Sequence, residues 1–216
     1  MSILSSTEAG KIAVFRNAIE KCTFSDSIIK SLEKETAIYR PNDKWKIMKI
    51  TRSYIEVAGN ECSLNWLDVS NILDFSGIFY NSKFNGDISK WDVSKAMNLS
   101  LMFKHSKFNG DISNWDVSNC ADFSGMFAFS IFNGDISKWN MKSATDISEM
   151  FTGSEFDGYI NDWNVSNVQY ADHIFKDMKH QNIDISKWDL YEMSKWREML
   201  SGKAANTNEL LDSLMK

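Results

Sequence analysis

Few side chains in this sequence stand where chemistry would need them. The three histidines, His105, His173 and His180, share no ligand spacing, and the three cysteines, Cys22, Cys62 and Cys120, form no CxxC pair. A structural metal needs several donors that converge, so neither set predicts a metal site, and an odd cysteine count predicts no disulfide framework. No GxSxG, HExxH, GxxxxGK[ST] or GxGxxG occurs, so no nucleophile elbow, zinc-protease helix or phosphate-cradling loop is expected. The most suggestive set is Asp87, Asp111 and Asp135, one every 24 residues. Stacked about 5 Å apart on neighbouring chain segments, such carboxylates would repel one another and favour a cation. However, the fourth position is Tyr159 and no GGxGxD nonapeptide occurs. Asn85- and Asp87-type side chains also close turns, and that is the role expected. Trp91, Trp115, Trp139 and Trp163 keep the same period. A tryptophan ladder would stack sugar rings, but Trp115 shares parity with apolar Val117, so these indoles are assigned to the core. No catalytic, cofactor-binding or metal-ligating residue is therefore predicted, and the chain is read as no enzyme.

The elements that must position these side chains come from an internal repeat. FNGDISKWDVS starts at Phe84, FNGDISNWDVS at Phe108, FNGDISKWNMK at Phe132 and FDGYINDWNVS at Phe156. Phe103, Phe127, Phe151 and Phe175 keep the register. A degenerate unit with Asp68-Val69-Ser70 and Phe79 precedes the four, and one with Trp188 and Leu200 follows after a one-residue insertion. Within a unit, Trp115 and Val117 alternate with Asn114 and Asp116, which predicts a short half-buried strand. Phe123, Met126 and Phe127 at i, i+3 and i+4 predict a short helix, with Asp74, Asn98, Asp122 and Asp146 as its N-caps. Asn109-Gly110 and its equivalents predict a tight turn with positive φ. No unit buries its apolar side alone, so the expected architecture is α/β: a right-handed solenoid of 24-residue turn-strand-helix units.

Residues 1–60 do not repeat and are read as a helical N-terminal cap. Ile12, Val14, Phe15, Ala18 and Ile19 predict an amphipathic helix over Thr7 to Lys21. Ser25-Asp26 opens a second helix carrying Ile28, Ile29, Leu32 and Ala37, which ends before Pro41. Lys44 to Val57 is open between helix and strand. The organisation is thus a cap over 1–60, a repeat body over 61–200 with four clear and two degenerate end units, and a capping helix over 201–216 with Leu210, Leu211 and Leu214.

The chain has 216 residues, enough for a core without staples, with 43% apolar and 25% charged residues and a single proline. Its net charge of −5 is uneven. Residues 1–60 carry ten Lys/Arg against seven Asp/Glu, and residues 61–216 carry fourteen against twenty-two. An acidic body argues against direct nucleic-acid binding and attraction to anionic membranes. No basic-then-apolar leader and no eighteen-residue apolar run occurs, so neither secretion nor membrane insertion is expected.

The unit FNGDISKWDVS followed by the Ser-x-Met-Phe element resembles the BspA-like leucine-rich-repeat family of bacterial and mycoplasmal surface proteins. The likeness runs from about Leu64 to Leu200. The resemblance implies a leucine-rich-repeat-like solenoid used for binding, commonly adhesion, and implies no enzyme activity.

The expected function is non-catalytic protein recognition. The first reading is a cytoplasmic inhibitor or adaptor, of phage or mobile-element type, that docks a host protein. The alternative is an adhesin-type module at the cell surface, if the sequence belongs to a longer exported chain. The partner is expected on two outward polar columns, Lys90, Asn114, Lys138 and Asp162, with Asp92, Asp116, Asn140 and Asn164 beside them. The partner's identity and the oligomeric state are not written in the sequence.

Overall fold

The computed structural model describes residues 8–34, 39–180 and 183–189. The capping helix expected over 201–216 lies outside the described residues, as do Ala37 and Leu200. The first sixty residues form three α-helices: α1 (Glu8–Lys21), α2 (Asp26–Leu32) and α3 (Lys44–Ala58). α1 buries Phe15, Ala18 and Ile19, one helical face at i, i+3 and i+4; Val14 is on the outside. Ser25 precedes α2, but its hydroxyl meets the Ser27 hydroxyl (3.1 Å) and caps no backbone N–H. The segment left open is helical throughout. Ile47, Ile50, Thr51 and Tyr54 are its buried stripe, and the Asp43 carboxylate accepts the Lys46 N–H at 2.8 Å as N-cap. Gly59, at φ 92°, ends it.

Beyond α3 the chain advances in 24-residue units, each paired edge to edge with the next. Parallel bridges link Asp74 to Asn98, Asn98 to Asp122, Asp122 to Asp146 and Asp146 to Tyr170. Tyr39 bridges Leu67 and Ser63 bridges Asp87, which joins this stack to the N-terminal segment. The buried residues of both parts form one hydrophobic cluster.

Two local expectations are corrected. Phe123, Met126 and Phe127 are buried as expected, but the segment is a ribbon of turns and not a helix; no helix follows Ala58 among the described residues. Its N–H groups alternate between two destinations. Met126 and Ala128 donate to Phe123 and Gly125, three residues back; Phe123, Gly125, Phe127 and Phe129 donate to Asp146, Ser148, Met150 and Thr152 of the next unit. Gly125 and Phe129 have positive φ (60° and 55°), each at the third position of a turn, as in type II turns. A helix would turn N–H groups back onto its own carbonyls and leave its first turn open, whereas the ribbon offers alternate N–H groups to the next unit, so stacking selects the ribbon. The other correction concerns the strand. Trp115 and Val117 are buried, and Asn114 and Asp116 exposed, as the alternation predicts. Yet no ladder forms there, and the bridges fall at the positions expected to be helix caps.

The Asn-Gly dipeptide is used differently too. Gly86, Gly110, Gly134 and Gly158 are not among the positive-φ glycines. A Cβ on Gly110 would lie 2.8 Å from the Phe108 ring and 3.2 Å from the Gly86 carbonyl oxygen, so this glycine lets ring and backbone approach. The rings so admitted form two columns. Phe84, Phe108, Phe132 and Phe156 stack at 6.1–6.4 Å, and Phe79, Phe103, Phe127 and Phe151 at 5.7–5.9 Å. The indoles of the repeat column donate their Nε1–H backwards: Trp91 to the Leu64 carbonyl (3.0 Å), Trp115 to Ile88 (3.3 Å), Trp139 to Ile112 (3.1 Å) and Trp163 to Ile136 (3.1 Å).

Candidate functional site

Asp92 and Asp116 of the candidate strip are corner residues of the chain. The pattern Asp/Asn-x-Ser occurs three times in each of the units that start at Phe84 and Phe108, and each time the first side chain accepts the N–H of the serine two residues on. In one unit the bonds are Ser113 to Asp111 (2.9 Å), Ser118 to Asp116 (3.0 Å) and Ser124 to Asp122 (2.9 Å). These are Asx turns. Ser130 and Ser154 play a similar part for the N–H of Phe132 and Phe156. Asn85, Asn109 and Asn133 run a ladder between units, each accepting the N–H of the next member at 2.7–2.8 Å.

All eight predicted strip residues are exposed, in two columns of 24-residue period. Their chemistry divides. Asp92, Asp116, Asn140 and Asn164 accept the N–H of Ser94, Ser118, Lys142 and Ser166 at 3.0–3.1 Å. They hold corners of the chain. Asp162 is tied to Lys187 by a 2.6 Å ion pair and accepts the Tyr159 hydroxyl at 3.0 Å. The lysine, then the tyrosine, holds this carboxyl below its ordinary range. Lys90, Asn114 and Lys138 make no side-chain hydrogen bond or ion pair that ties them to the fold among the described residues. They are the members with donors to spare.

The acidic column also consists of corners. Asp87, Asp111 and Asp135 accept the N–H of Ser89, Ser113 and Ser137, each at 2.9 Å. Those backbone and hydroxyl donors hold Asp111 and Asp135 below the usual carboxylate range. No group of three metal-ligating side chains converges among the described residues. Burial pushes the thiols of Cys62 and Cys120 up to about 12, far from the range of a nucleophile at neutral pH.

Sequence reasoning missed a second exposed set. Tyr80, Leu101, His105 and Phe129 project from the turn ribbon, at positions the i, i+3, i+4 pattern left unassigned. Leu101, His105 and Phe129 are exposed at left-handed positions of the ribbon, and no local pattern in the sequence marks such positions. Trp45, Leu73 and Met97 are exposed as well.

A family model described as Mycoplasma protein of unknown function, DUF285, matches residues 48–155 and again 128–213. The two matches cover more than half of the sequence. The chain belongs to this family. The matches overlap within the repeat, as they must when one model fits a periodic sequence in two registers, and they begin inside α3, leaving α1 and α2 outside. No curated protein and no solved structure shows significant similarity. Among the described residues, no helix is long and apolar enough to cross a membrane.

Proposed function

We propose that this family member is a non-catalytic protein-recognition module, a BspA-like, leucine-rich-repeat-like solenoid whose outward polar strip meets a protein partner. The observation that supports it is the fixed presentation of Lys90, Asn114 and Lys138, one per unit, on a backbone locked by bonds between units. A backbone fixed before binding loses little entropy in the complex. The strip has few apolar anchors, so its contacts are charge-led and salt-sensitive. In our first reading the module is an intracellular inhibitor or adaptor that docks a host protein; adhesin-type binding at the cell surface is the alternative, favoured by the repeat motif itself.

The test is pull-down with the full chain and with Lys90→Glu/Lys138→Glu, two changes that remove no corner. A protein held at low salt, released at high salt and lost with the double variant is expected. Capture unchanged by the double variant would assign the strip to solvated surface.

A further inference from the structure

The turn ribbon carries side chains that the fold does not require. Leu101, His105 and Phe129 occupy left-handed backbone, at φ 57°, 59° and 55°, a region unfavourable for bulky residues. Other units place Gly77, Gly125 and Gly153 at equivalent positions. The bulky side chains gain little burial in return, since Phe129 is 47% and Leu101 39% exposed. Their rings form a surface row: Tyr80 meets His105 edge-on at 6.0 Å, and His105 stacks on Phe129 at 4.9 Å. Phe129 lies over Gly153, where a Cβ would come within 2.4 Å of the ring. Lys104 Nζ stands 5.9 Å from the same ring.

At its Tyr80 end the row runs into a cavity of about 370 Å³ between α3 and the first turn ribbon, lined by Thr51, Arg52, Ile55, Ile78, Phe79 and Tyr80 among others. This is pocket-sized; Ile55, Ile78, Phe79 and the Tyr80 ring give it an apolar side for one large side chain, and Thr51, Arg52, Asn81 and Ser82 a polar one. Its surroundings are basic on an otherwise acidic body. Arg52 lines it; Lys49 stands one turn earlier on α3; Lys83 follows the lining residue Ser82, whose carbonyl accepts the Lys107 N–H at 2.9 Å. All four are exposed, and none is ion-paired among the described residues.

We propose that this cavity and the Tyr80–His105–Phe129 row form a docking groove for a protein segment that carries a bulky apolar side chain among carboxylates. The apolar side chain fills the cavity, the carboxylates meet Arg52, Lys83 and Lys107, and the segment continues along the aromatic row. Aromatic and arginine anchors around a pocket are the usual carriers of interface energy. The proposal shares with the strip reading only the premise of protein recognition and concerns a different surface.

The experiment uses the full chain and fluorescein-labelled peptides with a central Trp, flanked either by glutamates or by lysines. The glutamate peptide is expected to bind, more weakly as salt rises, and to lose about tenfold or more in affinity in Arg52→Glu and in Phe129→Gly. Phe129→Gly is expected to keep its melting temperature, because glycine suits the positive φ. Lys90→Glu/Lys138→Glu is expected to bind this peptide normally, so failure of the groove and failure of the strip are read separately. Four results overturn the proposal: no binding of the glutamate peptide; equal or tighter binding of the lysine peptide or of a single-stranded RNA oligonucleotide; affinity unchanged in both groove variants; or a dimer of the wild-type chain that Phe129→Gly dissociates, which would assign the groove to a second copy.

Discussion

At the scale of the residue, one side chain type is used for two purposes, and the backbone decides which. Asp116 is charged and exposed, but its Oδ1 is engaged by the Ser118 N–H at 3.0 Å. Asn140 and Asn164 do the same work one and two units later at 3.1 Å, so the corner needs an acceptor and not a charge. Asp116→Asn should leave stability within about 0.5 kcal/mol, while Asp116→Ala should cost about 1 kcal/mol, the usual worth of one such bond; urea unfolding midpoints check both. Trp115 is 4% exposed and its Nε1–H is bonded to the Ile88 carbonyl. Trp115→Ala removes the packing and the bond together, and should cost about 3–5 kcal/mol by the same measurement. Cys22 is half-buried, whereas Cys62 and Cys120 are buried with thiols raised to about 12. Ellman's reagent at pH 8 should therefore titrate one thiol rapidly in the native chain and three in denaturant.

At the scale of the element, the 24-residue unit is held by its neighbours more than by itself. Phe123, Gly125, Phe127 and Phe129 donate to the following unit, and Ala121 donates to the preceding one. A unit without neighbours would leave these donors open along with its Phe faces. Gly110 marks a close approach, with the Phe108 ring 2.8 Å from where a Cβ would stand. Gly110→Ala must push apart a ring that is already stacked on Phe84 and Phe132 at 6.1 and 6.2 Å. It should cost about 1–3 kcal/mol, as overpacking does, and thermal unfolding of the variant beside wild type measures it.

At the scale of the whole molecule, the repeated Asx corners give a common response to acid. The Ser113 N–H and hydroxyl lower the Asp111 carboxyl, and the hydroxyl and N–H of Ser118 and Ser137 lower Asp116 and Asp135. A carboxyl lowered in the folded state stabilises the fold above its unfolded value, near pH 4, and that contribution is lost as pH falls through the folded value. The melting temperature should thus be flat toward neutral pH and fall below about pH 4. A triple Asp→Asn variant at Asp111, Asp116 and Asp135, which keeps the acceptors, should show a shallower fall. An equal fall in both proteins would place acid sensitivity elsewhere.

What the sequence by itself determined is the period, the inward set and the first two N-terminal helices, while Lys44 to Val57 stayed open until its stripe packed. The 24-residue register of Phe84, Trp91 and Phe103 is a property of composition along the chain, and apolar spacing marks which side of Trp115-Asp116-Val117 turns inward. The exposure of the eight strip residues followed from that same alternation. The local conformation of the repeat was decided only in the tertiary structure. The spacing of Phe123, Met126 and Phe127 fits both a helical face and a ribbon of turns, and hydrogen bonds to a chain segment 23 residues away select the ribbon. For the same reason Asp74 and Asp122 are bridge residues and not helix caps, and Gly110 answers to a neighbouring ring and not to φ. The groove was illegible for a related cause: its walls come from α3 and from residues 78–82, and its row from Tyr80, His105 and Phe129. Proximity between elements and outward left-handed positions leave no local pattern in the sequence, because they arise only when the units stack.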